Sequence, residues 1–173
     1  MGLDMYLYLQ KDEYVGEHYK WPSNAQLTNE YPAELASLAK ADPVVQRETR
    51  YRAAYWRKAN AIHKWFVNFA GEKDTCQKIY LNHKALQELV DKCKEALDRP
   101  AEASKILPTK GGFFFGTTAY DEWYFQNLKN TIAMLEPVIE VLKKQDEAWE
   151  EFKANDYKGD QPEHYECIYQ ASW

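Results

Sequence analysis

The sequence lacks the features of secreted and membrane proteins. Its three cysteines, Cys76, Cys93 and Cys167, are odd in number and far apart, which suits reduced thiols in a cytosol better than a disulfide framework. No apolar run approaches the ~18 residues that a membrane span needs. The opening segment 1–9 is only mildly apolar, contains Asp4 and has no basic region, so it does not predict a secretory signal. We therefore expect a cytoplasmic protein without a membrane partner.

Recognisable catalytic and metal-binding motifs are also missing. There is no G-x-S-x-G, no H-E-x-x-H and no C-x-x-C, and the four histidines are scattered without the spacing of metal ligands. The glycines of the loop 105–119 have the spacing G-x₃-G, but no G-K-[ST] follows, so they do not form a Walker A motif. The motifs therefore predict no catalytic residue, no metal and no cofactor.

An overall excess of basic charge is missing as well. The chain of 173 residues has 22 basic and 27 acidic side chains and a formal charge of −5. A protein that binds duplex nucleic acid usually has a net basic footprint, so a duplex is not the expected partner. Length and composition predict one globular domain over residues 1–173 and leave open whether the chain forms a homo-oligomer.

Aromatic side chains are abundant. The chain has 13 Tyr, 7 Phe and 6 Trp, which together make up 15% of its residues. Because buried Tyr and Trp need partners for their O–H and N–H groups, this content leaves two interpretations open. Either the core contains many polar contacts, or the protein exposes an aromatic surface to a ligand.

Both ends of the sequence predict β-strands. In residues 2–10, Leu3, Met5, Leu7 and Leu9 alternate with polar or aromatic residues, and residues 163–173 alternate in the same way. A period of two is typical of half-buried strands. We expect the two strands to pair in one small antiparallel sheet, against which about four helices pack. The predicted fold class is α+β.

The middle of the chain is predicted to be mainly helical. A short helix is expected over 32–41, and 49–55 reads either as a strand or as the start of the next helix, which spans 56–70 and ends at Gly71. Residues 77–81 predict a short strand. Asn82 is a plausible N-cap for a helix that Pro100 ends.

The longest helix is expected to open at a capping box of Thr118 and Asp121 and to continue to about residue 155. Pro137 interrupts its pattern, so we expect a kink there or two abutting helices. Its acidic residues are most simply a solvated face.

The basic residues are concentrated in one block. Residues 40–64 contain seven Lys and Arg against two acids, and they are interleaved with Tyr51, Tyr55 and Trp56. Arginines beside flat rings suit a ligand that has phosphates and a stacking base. We predict a ligand site formed by the following residues: Arg50, Arg52, Trp56, Arg57, Asn60, His63, Lys110, Gly111 and Gly112. In this prediction Trp56, Asn60 and His63 share one flank of the helix that follows Tyr55.

Each part of this prediction has a structural alternative. The arginines could pair with the acidic helix, His63 could belong to a buried polar network, and the loop could be a turn that buries Phe113, Phe114 and Phe115. A catalytic alternative would bring His63 together with Asp4 or Asp121.

Four segments of the sequence carry a resemblance: MGLDMYLYL at the start, YWRKANAIHKWFV in the centre, the loop LPTKGGFFFGTTAYDEWYF and YQASW at the end. Together they resemble a family of small uncharacterised proteins encoded by bacteriophages, prophages and bacteria. The resemblance implies a setting, the bacterial cytosol, often during phage infection, and no chemistry.

Three functions remain open. The first is a non-enzymatic protein that captures a phosphorylated nucleotide-like molecule, such as a phage-encoded sponge for a host defence signal. The second is a hydrolase or transferase that acts on a similar ligand, which a histidine and an acid meeting in a cleft would favour. The third is a module that binds and inhibits a host protein through a flat aromatic patch.

Overall fold

The terminal strands lie side by side in one antiparallel sheet, as the alternation predicts. A computed structural model describes residues 2–15, 45–71 and 74–173. The sheet contains β1 (Asp4–Val15), β2 (Val45–Arg57), β3 (Ile79–Leu81) and β4 (Glu166–Ser172), in the order β2-β1-β4-β3. Because β1 pairs with both β2 and β4, it is a central strand. The α+β prediction and the pairing of the two ends are confirmed.

In the ranges that the structure describes, four α-helices accompany the sheet. They are α1 (Asn60–Ala70), α2 (His83–Asp98), the short α3 (Ala103–Ile106), which follows a 3₁₀ turn at Pro100–Glu102, and α4 (Glu122–Ala154). Gly71 ends α1 in the left-handed conformation, and the Asn82 side chain caps α2 by accepting the Ala85 N–H, both as predicted. Within the described part of the chain, no helix combines the length and apolar character that crossing a bilayer requires.

One face of the sheet and the inner sides of the helices share a single core. Leu3, Met5 and Leu7 are completely buried there. From β4, Tyr169 stacks on Phe66 of α1 at 3.9 Å between ring centroids. The apolar stripes of α2 and α4 complete the cluster with Leu86, Leu89, Leu128, Leu135 and Ile139. Leu3, Met5 and Leu7 therefore occupy core positions as the alternation of residues 2–10 assigns, whereas Leu9 is only partly buried.

The segment 49–57 differs from part of its prediction. It continues as strand β2 through Arg57, and α1 begins only at Asn60. The expectation that Trp56 shares a helix flank with Asn60 and His63 is therefore wrong. Trp56 is a core residue of β2 with 3% exposure, and its indole Nε1 donates to Thr131 Oγ1 of α4 at 2.8 Å. Tyr55 alternates to the opposite face of the sheet and is 39% exposed.

The start of α4 also departs from the predicted capping box. Asp121 is itself the N-cap, and its side chain accepts the Tyr124 N–H at 3.1 Å, whereas Thr118 lies three residues earlier in the loop. An aspartate satisfies the first-turn donors directly, so the cap does not need the threonine. The helix runs as a single element across the exposed Pro137. The short helix expected over 32–41 lies outside the described residues.

The placement of Trp56 makes a stability prediction with a neighbouring control. Trp56→Ala removes a buried indole and leaves a cavity, so we expect a loss of about 3–5 kcal/mol in the free energy of unfolding. Arg57→Ala changes the next residue, which is exposed, and should alter the free energy of unfolding by no more than about 0.5 kcal/mol. Urea denaturation of both variants measures the difference. Equal effects would contradict the assignment of β2 through residue 57.

Candidate functional site

The nine residues of the predicted site lie in three places. Trp56 is in the core. Arg50, Arg52 and Arg57 lie on the face of the sheet that points away from α1, α2 and α4, here called the outer face. The remaining five are at the start of α1 and in the loop between α3 and α4: Asn60, His63, Lys110, Gly111 and Gly112. The structure therefore provides two candidate surfaces in place of the single ligand site that the sequence predicts.

A β-bulge in β2 assembles the outer face. Leu7 of β1 stands opposite Ala54, but the next residue, Tyr8, stands opposite Arg52, so Ala53 is an extra residue in the ladder. Strict alternation from Trp56 would turn residues 52 and 50 toward the core. The extra residue reverses this, because a bulge changes which face the following side chains occupy. Arg52 and Arg50 therefore join Tyr55 and Arg57 on the outer face.

Tyrosines from the central strand complete this surface. Tyr6 and Tyr8 lie nearly parallel, with ring centroids 5.8 Å apart and planes inclined by 13°, and Tyr55 lies 5.3 Å from Tyr6. The Arg50 guanidinium carbon is 6.0 Å from the centroid of the Tyr8 ring, and that of Arg52 is 5.9 Å from the Tyr55 ring. The sequence contains a signal for this arrangement, since the alternation of residues 2–10 already places Tyr6 and Tyr8 on the other face of the strand from Met5 and Leu7.

The arginines of the outer face differ in what they contact. Arg50 Nε donates to Gln10 Oε1 at 2.8 Å, and its Nη2 pairs with Glu48 at 2.7 Å. Arg52 and Arg57 are exposed. Arg57 stands opposite Asp4, whose carboxylate accepts a 2.5 Å hydrogen bond from the Tyr55 hydroxyl. This bond raises the pKa of Tyr55 and holds the ring in place.

The interpretation that these arginines pair with the acidic helix finds no support in the described ranges. There, the ion pair formed by an arginine of this face joins it to Glu48 of the same strand. The arginines therefore remain directed at the outer face, away from α4.

Asn60 fixes the glycine-rich loop to the start of α1. Its Nδ2 donates to the carbonyls of Phe115 and Thr117 at 3.0 and 2.8 Å, and its Oδ1 accepts the Lys110 N–H at 3.2 Å. Asn60 itself is 4% exposed. These three hydrogen bonds give Asn60 a structural role, because they hold the loop against the start of α1.

Two glycines of this loop have structural roles, one in packing and one in backbone conformation. A Cβ on Gly112 would lie 2.8 Å from the Phe115 ring, so a larger residue would push the ring out of the core. Gly116 has φ of +83°, which favours glycine. The three phenylalanines do not share one environment: Phe115 is buried, Phe114 is partly buried and Phe113 is 96% exposed. The interpretation of a turn that buries all three is thus correct for Phe115 and wrong for Phe113.

His63 belongs to a buried chain of polar groups. Its Nδ1 lies 2.7 Å from the Tyr169 hydroxyl and its Nε2 3.0 Å from Asp74 Oδ2, and Lys110 Nζ reaches the same oxygen at 2.5 Å. With Nε2 protonated, the neutral ring accepts from Tyr169 and donates to Asp74. The ring is only 1% exposed, so the interpretation of a satisfied buried network is the one that fits. Its acid is Asp74, not Asp4 or Asp121.

Burial sets the protonation of this network. Desolvation lowers the pKa of His63, and the hydrogen bond with Asp74 only partly offsets it. For Asp74, burial works to raise the pKa, but the hydrogen bonds from Lys110 and His63 outweigh it and hold the pKa below its usual value. A neutral imidazole beside an ion pair of Lys110 and Asp74 is therefore the stable state near neutral pH.

A third surface was missed by sequence reasoning. An open groove of about 800 Å³ runs between the start of α2 and the second half of α4. In it, His83 Nδ1 lies 2.8 Å from Asp146 Oδ2. Trp149 and His164 form another part of its wall, with ring centroids 6.1 Å apart. The sequence gives little signal for it, because its residues come from segments more than sixty positions apart.

Comparison of the chain with protein-family models, with curated proteins and with solved structures returns no match. Among the residues that the structure describes, no group of three or more His, Cys, Asp and Glu side chains is arranged to hold a metal ion. The functional argument therefore depends on the geometry of the three surfaces.

The His63 network predicts a pH dependence of stability. Because the pKa of His63 is lower in the folded protein than its ordinary 6.5, the unfolded chain takes up the proton first as the pH falls. The contribution of neutral His63 is complete above pH 6.5 and is lost as the pH falls toward the folded pKa. We therefore expect the free energy of unfolding to decrease as the pH falls below about 6.5.

His63→Gln, which cannot titrate, should make this decrease shallower, by at most one proton, or about 1.4 kcal/mol per pH unit. Urea titrations of both proteins at several pH values measure the slopes. His83→Gln is the matched control, because that histidine lies outside the network. Identical slopes for wild type and His63→Gln would show that His63 does not titrate differently in the two states.

Proposed function

We propose that the protein binds a phosphorylated, nucleotide-like small molecule on the outer face of its sheet and holds it without changing it. The observation that carries this proposal is the arrangement of three tyrosines and three arginines on two neighbouring strands. The residues are Tyr6, Tyr8, Tyr55, Arg50, Arg52 and Arg57. Aromatic rings that receive a base and arginines that receive phosphate are the two components that such a ligand requires.

The tyrosines form the stacking surface in this proposal. Tyr6 is the central ring, with Tyr8 and Tyr55 as its neighbours. Asp4 holds the Tyr55 hydroxyl, so that ring loses little freedom when a base is bound. Stacking of a base on an aromatic side chain contributes about 1–3 kcal/mol and tolerates every base, since each base has a π face.

Arg52 is the best placed phosphate ligand. Arg50 already contacts Glu48, and Arg57 stands opposite Asp4, whereas Arg52 stands opposite Tyr8, an uncharged residue. A phosphate therefore meets least competition and least repulsion at Arg52. A hydrogen bond to a charged phosphate contributes about 1.5–3 kcal/mol.

The setting of this activity comes from the resemblance to proteins of phages and prophages. In the bacterial cytosol during infection, a binder without turnover would act as a sponge that sequesters a host defence signal. The tyrosines and arginines of the outer face, which suit a nucleotide-like ligand, connect the fold to such a role.

A hydrolase or transferase is the second candidate, and one observation favours it. The His83–Asp146 pair, 2.8 Å apart, lies in an open groove, which is the geometry that a general base requires. His63 is a poorer candidate, because both of its ring nitrogens have partners and its ring is 1% exposed. An enzymatic reading would therefore assign the chemistry to His83 and not to His63.

Arginine substitutions test the binding surface. Arg52→Ala and Arg57→Ala should each weaken binding of adenosine 5′-monophosphate by about 10–100-fold, because each removes a charge-assisted bond and 1.4 kcal/mol corresponds to tenfold. Arg47→Ala is the matched control, since Arg47 is an exposed arginine of the same strand whose side chain alternates to the other face. Isothermal titration calorimetry measures the affinities, and circular dichroism checks the fold. Equal affinities for all four proteins would refute the outer-face site.

Recovery of the ligand separates a sponge from an enzyme. After incubation with adenine di- and trinucleotides, the protein is heat-denatured and the supernatant is analysed by mass spectrometry. We expect the nucleotides to be recovered intact. If cleaved product appears with the wild type and with His63→Ala but not with His83→Ala, the capture proposal is wrong and the protein hydrolyses its ligand in the groove.

A further inference from the structure

The outer face contains two tyrosine–arginine units. In the first, Arg52 lies over the Tyr55 ring at 5.9 Å, and in the second, Arg50 lies over the Tyr8 ring at 6.0 Å. A mononucleotide has one base and one phosphate group and would use one unit. Two such units suit a ligand that contains two bases and two phosphate groups.

The spacing of the units matches neighbouring nucleotides of an unstacked chain. Arg50 and Arg52 are two residues apart in a regular stretch of β2, which places their Cα atoms roughly 6.6–6.8 Å apart at the usual rise of a strand. That is about twice the 3.4 Å rise per nucleotide of a stacked strand. Bases that are splayed out onto separate aromatic rings, as single-stranded nucleic acids are when proteins bind them, have room for this spacing.

The position of β2 permits a ligand of that length. Among the described strands, in the order β2-β1-β4-β3, β2 lies at one end, so a chain that follows its arginines runs along this end of the sheet. On the other side of Tyr6, the register places Gln170 of β4. A glutamine amide forms paired hydrogen bonds with the N6 and N7 atoms of adenine. Because Tyr6 adjoins the rings of both units, Tyr8 and Tyr55, Gln170 favours adenine in the ligand.

We propose that the ligand is a short single-stranded oligonucleotide, with two neighbouring nucleotides bound by the two tyrosine–arginine units. This inference rests on the proposed function, because it concerns the same face. It defines the substrate class as an oligonucleotide of at least two units, with adenine preferred, and distinguishes it from a mononucleotide.

The test is a length series at one fixed salt concentration: AMP, the dinucleotide pApA and the tetranucleotide pApApApA. We expect pApA to bind at least about tenfold more tightly than AMP, because a second stacked base contributes more than ~1.4 kcal/mol. The tetranucleotide should add less than that step. In Arg50→Ala, the gain from AMP to pApA should be lost, whatever the variant's affinity for AMP, and Arg47→Ala should retain the gain.

The outcomes separate the two proposals. If AMP binds and pApA binds no more tightly, the two-unit inference is overturned and the outer-face site stands. If Arg50→Ala keeps the full gain, the second nucleotide does not use the Arg50–Tyr8 unit and the inference also falls. If neither AMP nor pApA binds the folded protein, the proposed function itself is wrong.

Discussion

The strict alternation of β1 is the constraint on which the rest of the structure depends. This strand is the central partner of β2 and β4. Together with Leu3 just before it, it buries Met5 and Leu7 completely on one side and presents tyrosines on the other. A slip of one residue would exchange the two sets, exposing the apolar side chains and burying phenolic groups without partners. The hydrophobic core therefore fixes the register, and the register in turn fixes which aromatic rings are available to a ligand.

The bulge at Ala53 adds the positive charge to this arrangement. Without it, Arg50 and Arg52 would point into the apolar side of the sheet, where unpaired guanidinium groups are costly. The extra residue keeps Trp56 and Ala54 in the core and turns both arginines outward beside the tyrosines. The bulge therefore allows the C-terminal half of β2 to pack in the core while Arg50 and Arg52 face outward.

Much of the fold could be predicted from the sequence, because the alternation of the ends, Gly71 and Asn82 are local signals with local physical causes. The placement of the predicted site residues could be predicted less well. The bulge has no sequence signature, so the end of β2 was read as helix and Trp56 was assigned to a ligand. Asp74 and His83 acquire their partners only through tertiary contacts, from His63 and Asp146, respectively. Tyr6 and Tyr8 were visible in the pattern of β1, but their meaning depends on the neighbouring strand.

The central claim is that a nucleotide lies on the outer face and not at the loop or in the groove. Photocrosslinking with 8-azidoadenosine 5′-monophosphate, followed by peptide mass spectrometry, tests it most directly, because the azide reacts with the side chains that contact the base. The account predicts adducts on Tyr6, Tyr8 or Tyr55 that excess AMP suppresses. Suppressible adducts confined to residues 109–118, or to the groove at His83 and Trp149, would contradict it.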